Sequence, residues 1–238
     1  MANKQINHIL LVEGESDIKF FEALIKYVNK TNSSIDLDNI KIDIINGSDN
    51  IKLQLAVKSL QTDIRNSPLK NFGIVMDLDE FTVEDRFGQV KIVLSELFGV
   101  DKITEIDANS FNLKINDKRT IKVTCHFIET DLVTNLELLL KTIATESPIA
   151  ANCLELWYHC AIASGRKIRK SDYLKFWREV YVRYDYCADK NLLKHASINC
   201  TTEKSFDNLF IEGKPQAWDF ENKILDNLKK YLSTFSNA

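Results

Sequence analysis

The sequence predicts an α/β fold: a mainly parallel sheet, extended by an antiparallel hairpin and followed by a C-terminal helical region. Three observations predict it. Three short strand-like stretches, Ile9 to Val12, Ile40 to Ile45 and Phe72 to Met76, are each followed by an amphipathic helical stripe, which is the order of a parallel sheet with crossover helices. Alternation then takes over between Phe111 and Phe127, and beyond Pro148 the spacing is helical and rich in aromatic residues. The expected division is an α/β domain over residues 1–145 and a helical region over 146–238 packed against it.

The first strand ends at Glu13-Gly14-Glu15-Ser16-Asp17. Ser16 suits an N-cap, and Phe21, Leu24, Ile25 and Val28 then mark the buried face of a helix. Gly14 allows a tight turn, and Asp17 falls in the first helical turn, where the positive end of the dipole favours a carboxylate. Asp17 also reads as an ordinary helix-start residue. After the second strand, Asn46-Gly47-Ser48-Asp49 turns the chain into a helix with Leu53, Ala56, Val57, Leu60 and Ile64 inward, stopped by Asn66-Ser67-Pro68.

The third strand belongs to the stretch FGIVMDLDE, residues 72–80. Its apolar run suits a strand buried on both faces, and it gives way to three carboxylates, Asp77, Asp79 and Glu80. Open α/β sheets collect ligands at the carboxyl ends of their strands, so these acids are candidates for a hard cation. A solvated strand-to-helix turn would use the same residues. A helix over Val83 to Phe98 follows, with Phe87, Val90, Leu94 and Leu97 on one face. If the first and third strands are neighbours, Glu13 converges with Asp77 and Asp79 on one ion.

Phe111, Leu113 and Ile115, the turn Asn116 to Arg119, and Ile121, Val123, Cys125 and Phe127 form the hairpin. His126 points away from Cys125 and Phe127 and is read as structural. After Glu129-Thr130-Asp131, a helix buries Leu132, Leu136, Leu139, Leu140 and Ile143, with Glu137 at the edge of the stripe as a solvated residue. In the helical region, Tyr173, Phe176, Trp177 and Val180 fall on one face, and most of the aromatic residues are expected in the core. Between Lys141 and Lys194 ten Lys or Arg stand against six Asp or Glu. The densest point, Arg166, Lys167, Arg169 and Lys170, is a candidate nucleic-acid contact beside aromatics, or a solvated interhelix turn. A terminal helix carries Ile224, Leu225, Leu228, Tyr231 and Leu232 inward, against the sheet.

Composition narrows the class. The 238 residues carry 45% hydrophobic and 27% charged side chains, as in a soluble globule, and a net charge of −3 excludes a generally basic nucleic-acid coat. Five cysteines, an odd number without a Cys-x-x-Cys pair, make poor zinc spacing and a poor disulfide framework, which predicts reduced thiols in a cytoplasmic protein. Neither a signal peptide nor a membrane span is expected.

The run LLVEGESD at 10–17, with VMDLDE at 75–80, resembles the Toprim domain of topoisomerases, bacterial primases, recombination proteins and overcoming-lysogenization-defect nucleases. With the TNLE segment at 134–137, the chain looks like a small stand-alone bacterial Toprim-related family of uncharacterised function. The resemblance covers about residues 6–140. It implies a three-layer, Rossmann-like Toprim sheet in which Glu13 is the acid/base or metal-binding glutamate. Asp77 and Asp79 would be ligands of Mg²⁺ or Mn²⁺, and Asp17 the additional Asp of the nuclease-like branch. Glu80 and Glu137 are further acids near such a site. The implied activity is metal-dependent phosphodiester chemistry on nucleic acid, as in a nuclease, with any partner ATPase on a separate chain because no phosphate-binding Gly-x-x-x-x-Gly-Lys run is present. A non-catalytic binding or scaffold module of the same fold is the alternative. No gate domain with a nucleophilic tyrosine and no zinc module of the primase type is recognisable. The nucleophile motif of haloacid-dehalogenase phosphatases is also similar to VMDLDE, but that motif usually opens its chain.

Overall fold

The computed structural model of the protein describes residues 6–129, 133–188, 200–207 and 216–236. The chain divides into two compact units, Met1–Asn135 together with Leu225–Ala238, and Leu136–Ile224.

In the first unit, β1 (His8–Val12), β2 (Ile40–Ile44), β3 (Asn71–Asp77), β4 (Ile103–Asp107), β5 (Ser110–Asn116) and β6 (Arg119–Ile128) form one sheet in the order β2-β1-β3-β6-β5-β4. The pairs β1/β2, β1/β3 and β3/β6 are parallel, and β5 and β4 extend the sheet in antiparallel fashion. The fold is therefore α/β with a mostly parallel mixed sheet, and β1 and β3 are direct neighbours. β4 was not predicted. Four of its five residues are exposed, so it carries no apolar alternation that separates it from a loop.

Pleating sends alternate residues to opposite faces. Ile9, Leu11, Phe72, Ile74 and Met76 pack with residues from α2 (Asn50–Ser59), α3 (Gln61–Asn66) and α4 (Val83–Phe98). The predicted second helix is thus two helices, interrupted at Leu60, although Leu53, Ala56, Val57, Leu60 and Ile64 are all buried as expected. The other face packs on α1 (Glu15–Thr31) and on the terminal helix. α1 is capped by Gly14 rather than by Ser16, because the Asp17 carboxylate, three residues on, accepts the Gly14 N–H.

The second unit contains α5 (Leu136–Thr142), α6 (Ile149–Ala163), α7 (Lys170–Val180), a single π turn at Tyr181–Asp185, and α8 (Thr202–Asp207); α9 (Asp226–Ser233) returns to the sheet unit. Its core is aromatic: Trp177 stacks on Tyr181, and Trp218 lies against both Tyr181 and Phe206. Three of the buried polar tips are partnered, whereas the buried Tyr173 hydroxyl has no hydrogen-bond partner among the described residues. Trp177 Nε1 donates to Asn152 Oδ1 at 3.1 Å, Trp218 Nε1 to Ser205 Oγ at 2.8 Å, and the Tyr181 hydroxyl to the Ala217 carbonyl at 2.9 Å. Asp185 caps α6 by accepting the Ala150 and Ala151 N–H groups.

Four expectations fail in this unit. Cys187 and Cys200 are disulfide-bonded, with Cα atoms 6.1 Å apart, so the thiols are not all reduced; spacing in sequence cannot reveal a proximity made by folding. Phe176 is exposed, because the buried face of α7 runs through Tyr173, Leu174, Trp177 and Arg178. Trp157 and Tyr184 are exposed too. Glu137 is buried rather than solvated, 3.7 Å from Arg178 Nη1. Thr130 and Asp131, read as leading into α5, and Leu132, read as part of its buried face, lie outside the described residues.

Candidate functional site

The carboxyl ends of β1, β2 and β3 are laced together by backbone groups. Ile45 N–H donates to the Val12 carbonyl at 2.8 Å, and Gly47 N–H to the Glu13 carbonyl at 3.2 Å. Asp77, the last residue of β3, donates its N–H to Glu13 Oε2 at 3.3 Å. The Glu13 side chain therefore lies across the tip of the neighbouring strand. Glu13, Asp17 and Asp77 line one narrow cleft together with Val12, Phe21 and Met76, too tight as it stands to admit a water molecule. All three acids are half-buried. Three carboxylates from two strand tips and the first turn of α1 thus share one hollow.

Asp79 is arranged differently. Its backbone is left-handed, with φ of 50°, a region Asp tolerates better than most residues. The turn is pinned from a distant segment, since the Thr134 carbonyl accepts both the Leu78 N–H (3.0 Å) and the Asp79 N–H (3.2 Å). Asn135 Nδ2 approaches Asp79 Oδ1 at 3.5 Å. The TNLE segment thus meets the DLDE turn through Thr134 and Asn135. Glu80 is exposed on the same turn.

One residue that sequence reasoning missed joins these parts. Arg86, in the first turns of α4, is fully buried. Its Nε donates to the Asp77 carbonyl at 3.0 Å, and its Nη1 to the Ser48 carbonyl at 2.7 Å and to Gln89 Oε1 at 3.2 Å. Nη2 lies 3.9 Å from Asp79 Oδ2, and the guanidinium sits 4.2 Å over the Phe81 ring. The signal for it was present: Arg86 stands four residues before Val90, on the stripe assigned to the core. Its neighbour Phe87 filled the same register and hid it.

His126, as read, faces away from Cys125. It stacks on Tyr231 at 4.9 Å, and desolvation lowers its pKa to about 4. Among the described residues, no group of three or more His, Cys, Asp or Glu side chains is assembled to hold a metal ion. In the second unit, Arg166, Lys167, Arg169 and Lys170 are all exposed, and Arg169 is bound in bidentate fashion to Asp172 at 2.8 and 2.9 Å. No helix among the described residues is long and apolar enough to cross a membrane.

A mostly parallel sheet with acids gathered at the tips of adjacent strands defines an α/β protein whose candidate site lies at the carboxyl edge of its sheet. The chain belongs to the family described as Protein of unknown function (DUF3226), whose model matches residues 7–237. Neither a curated protein nor a solved structure matches it.

Proposed function

We propose that the chain performs Mg²⁺- or Mn²⁺-dependent phosphodiester chemistry on nucleic acid, in the manner of a Toprim-type nuclease, at the carboxyl ends of β1 and β3. The observation that carries this reading is the shared cleft, in which Glu13 and Asp17 meet Asp77 from the neighbouring strand. Its donor set consists of carboxylate oxygens, which suits a hard cation. Glu13, Asp17 and Asp77 would hold the ion, with Asp79 beside them on the turn. When bound, the ion supplies Lewis-acid stabilisation of charge on the phosphate and on the leaving oxygen. Glu13, steadied by the Asp77 N–H, is the residue to take or return a proton. Arg86 holds the Asp77–Asp79 turn in shape and offsets part of its negative charge. A cytoplasmic setting and a separate ATPase partner belong to the same proposal.

A second reading, a binding or scaffold module without turnover, draws on a specific observation. The Glu13 and Asp17 carboxylates already accept backbone N–H groups, and no three acids among the described residues are grouped for chelation. Plasmid, single-stranded DNA and RNA incubated with Mg²⁺, Mn²⁺ or chelator separate the two readings. Cleavage that needs metal and falls at least about a hundredfold in Glu13→Gln and in Asp77→Asn is the expected result. Nucleic-acid binding without cleavage under any of these conditions supports the scaffold instead.

A further inference from the structure

α6 is an apolar helix left in water. Of its residues only Ala151 is buried, whereas Ile149, Leu156 and Trp157 are 75%, 77% and 47% exposed. An exposed apolar surface of this kind marks an interaction site. Its C-terminal end gives the surface a chemistry. The chain turns at Gly165, with φ of 83°, and passes through Arg166 and Lys167 before entering α7. Trp157, Cys160 and Ala161 of α6 and Ser164, Arg166 and Lys167 of the turn line an open groove of about 680 Å³. Phe176 of α7 stands edge-on to the Trp157 ring, with centroids 5.9 Å apart, and so orients the indole. Arg169 is neutralised by Asp172, but neither Arg166 nor Lys167 is paired with an acid among the described residues.

The occupant must therefore be anionic and must offer flat apolar faces at short intervals. A single strand of nucleic acid joins a flat base to a phosphate at every residue, an acidic peptide does so only where an aromatic side chain happens to fall beside an acid, and a duplex keeps its base faces stacked inside. We propose that this groove binds single-stranded nucleic acid, with a base stacked on Trp157 and flanking phosphates on Arg166 and Lys167. The proposal rests on the nucleic-acid reading above and narrows it to single strands.

The test uses the full chain in chelator, with fluorescent 15-nucleotide oligo-dT and oligo-U and a duplex of equal length, read by anisotropy across a salt series. The expected result is at least about tenfold tighter binding of single strands than of duplex. Trp157→Ala weakens that binding about tenfold with an unchanged salt slope, and Trp157→Phe restores most of it. Arg166→Ala with Lys167→Ala lowers the slope by about 1.4, at about 0.7 per phosphate contact. All three side chains are exposed, and a circular-dichroism melt verifies that each variant folds. Equal affinity for duplex overturns the proposal. Binding confined to anionic vesicles, or dimerisation abolished by Trp157→Ala, does so as well. If the wild type cleaves nucleic acid but the groove variants bind it normally, the groove falls and the cleavage reading stands; binding through the groove without metal-dependent cleavage gives the converse.

Discussion

Arg86 is a full positive charge sealed from water, and it persists because Nε and Nη1 are hydrogen-bonded while Nη2, which has no hydrogen-bond partner among the described residues, lies 3.9 Å from the Asp79 carboxylate. Two backbone carbonyls, Gln89, Asp79 and the Phe81 face surround it. Burying an ion without such partners costs several kcal/mol, so the residue ties the tips of β2 and β3 into one unit. His126 presents the opposite solution, a titratable ring kept neutral. Its pKa, lowered from 6.5 to about 4 by desolvation, means that between those values the unfolded chain binds a proton that the folded chain refuses. Its stabilising effect is complete above pH 6.5 and is lost as pH falls toward 4. Between pH 7 and pH 5 the loss amounts to about 2 kcal/mol. Replacing it with Phe keeps an aromatic ring against Tyr231 and removes the titration. In urea unfolding, His126→Phe should lose less stability than the wild type over that interval by about this amount, and parallel curves would assign the pH dependence to other groups.

At the scale of elements, Gly73 sets how closely the terminal helix approaches the sheet. It lies mid-strand in β3, and a Cβ there would collide with the Phe235 ring, reach 2.6 Å from the Tyr231 hydroxyl and 2.9 Å from Leu10. Tyr231 in turn donates to the Thr124 carbonyl of β6 at 3.2 Å, so α9 is fastened to two central strands. Gly73→Ala should therefore destabilise the protein by about 1–3 kcal/mol through overpacking. Phe235→Leu, which shortens the opposing side chain, should make the double mutant less unstable than the sum of the singles. Full additivity in a denaturant series would remove the argument. The same contrast explains what was legible beforehand. β1 and β3 stood out because burial on both faces forces apolar runs, β2 because isoleucines alternate along a half-buried edge strand, and their helices because the buried stripe repeats every three to four residues. The acids were legible because carboxylates at a strand end interrupt such runs abruptly. β4 was not, because an exposed edge strand needs no pattern, and Arg86 was not, because charge in a core register is read as facing solvent. The Cys187–Cys200 bond and the exposure of α6 are products of tertiary placement, to which local spacing is blind.

For the molecule as a whole, a net charge of −3 conceals an uneven distribution: acids gather at the carboxyl end of the sheet in the first unit, and in the second Arg166 and Lys167 are exposed with no acid paired to them among the described residues. A divalent ion that binds only the folded form of the first unit stabilises that form by mass action, by about 2.7 kcal/mol at a hundred times its dissociation constant. For a chain of this length that corresponds to a rise of about 5–10 °C in Tm. This shift is independent of turnover, so it probes the acidic cleft even if no nucleic acid is cut. Asp77→Asn preserves shape and leaves the backbone N–H that Glu13 accepts, while removing one carboxylate from the cleft. Without metal, the variant should melt at or above the wild-type temperature, since fewer like charges share the hollow. With millimolar Mg²⁺ or Mn²⁺, the wild type should rise and the variant should gain little. A structural aspartate predicts the reverse pattern, with lower stability for the metal-free variant and no metal-dependent shift in either protein. Thermal melts of both proteins, with ion and with chelator, measure all four states, and that reverse pattern would withdraw Asp77 from any metal site.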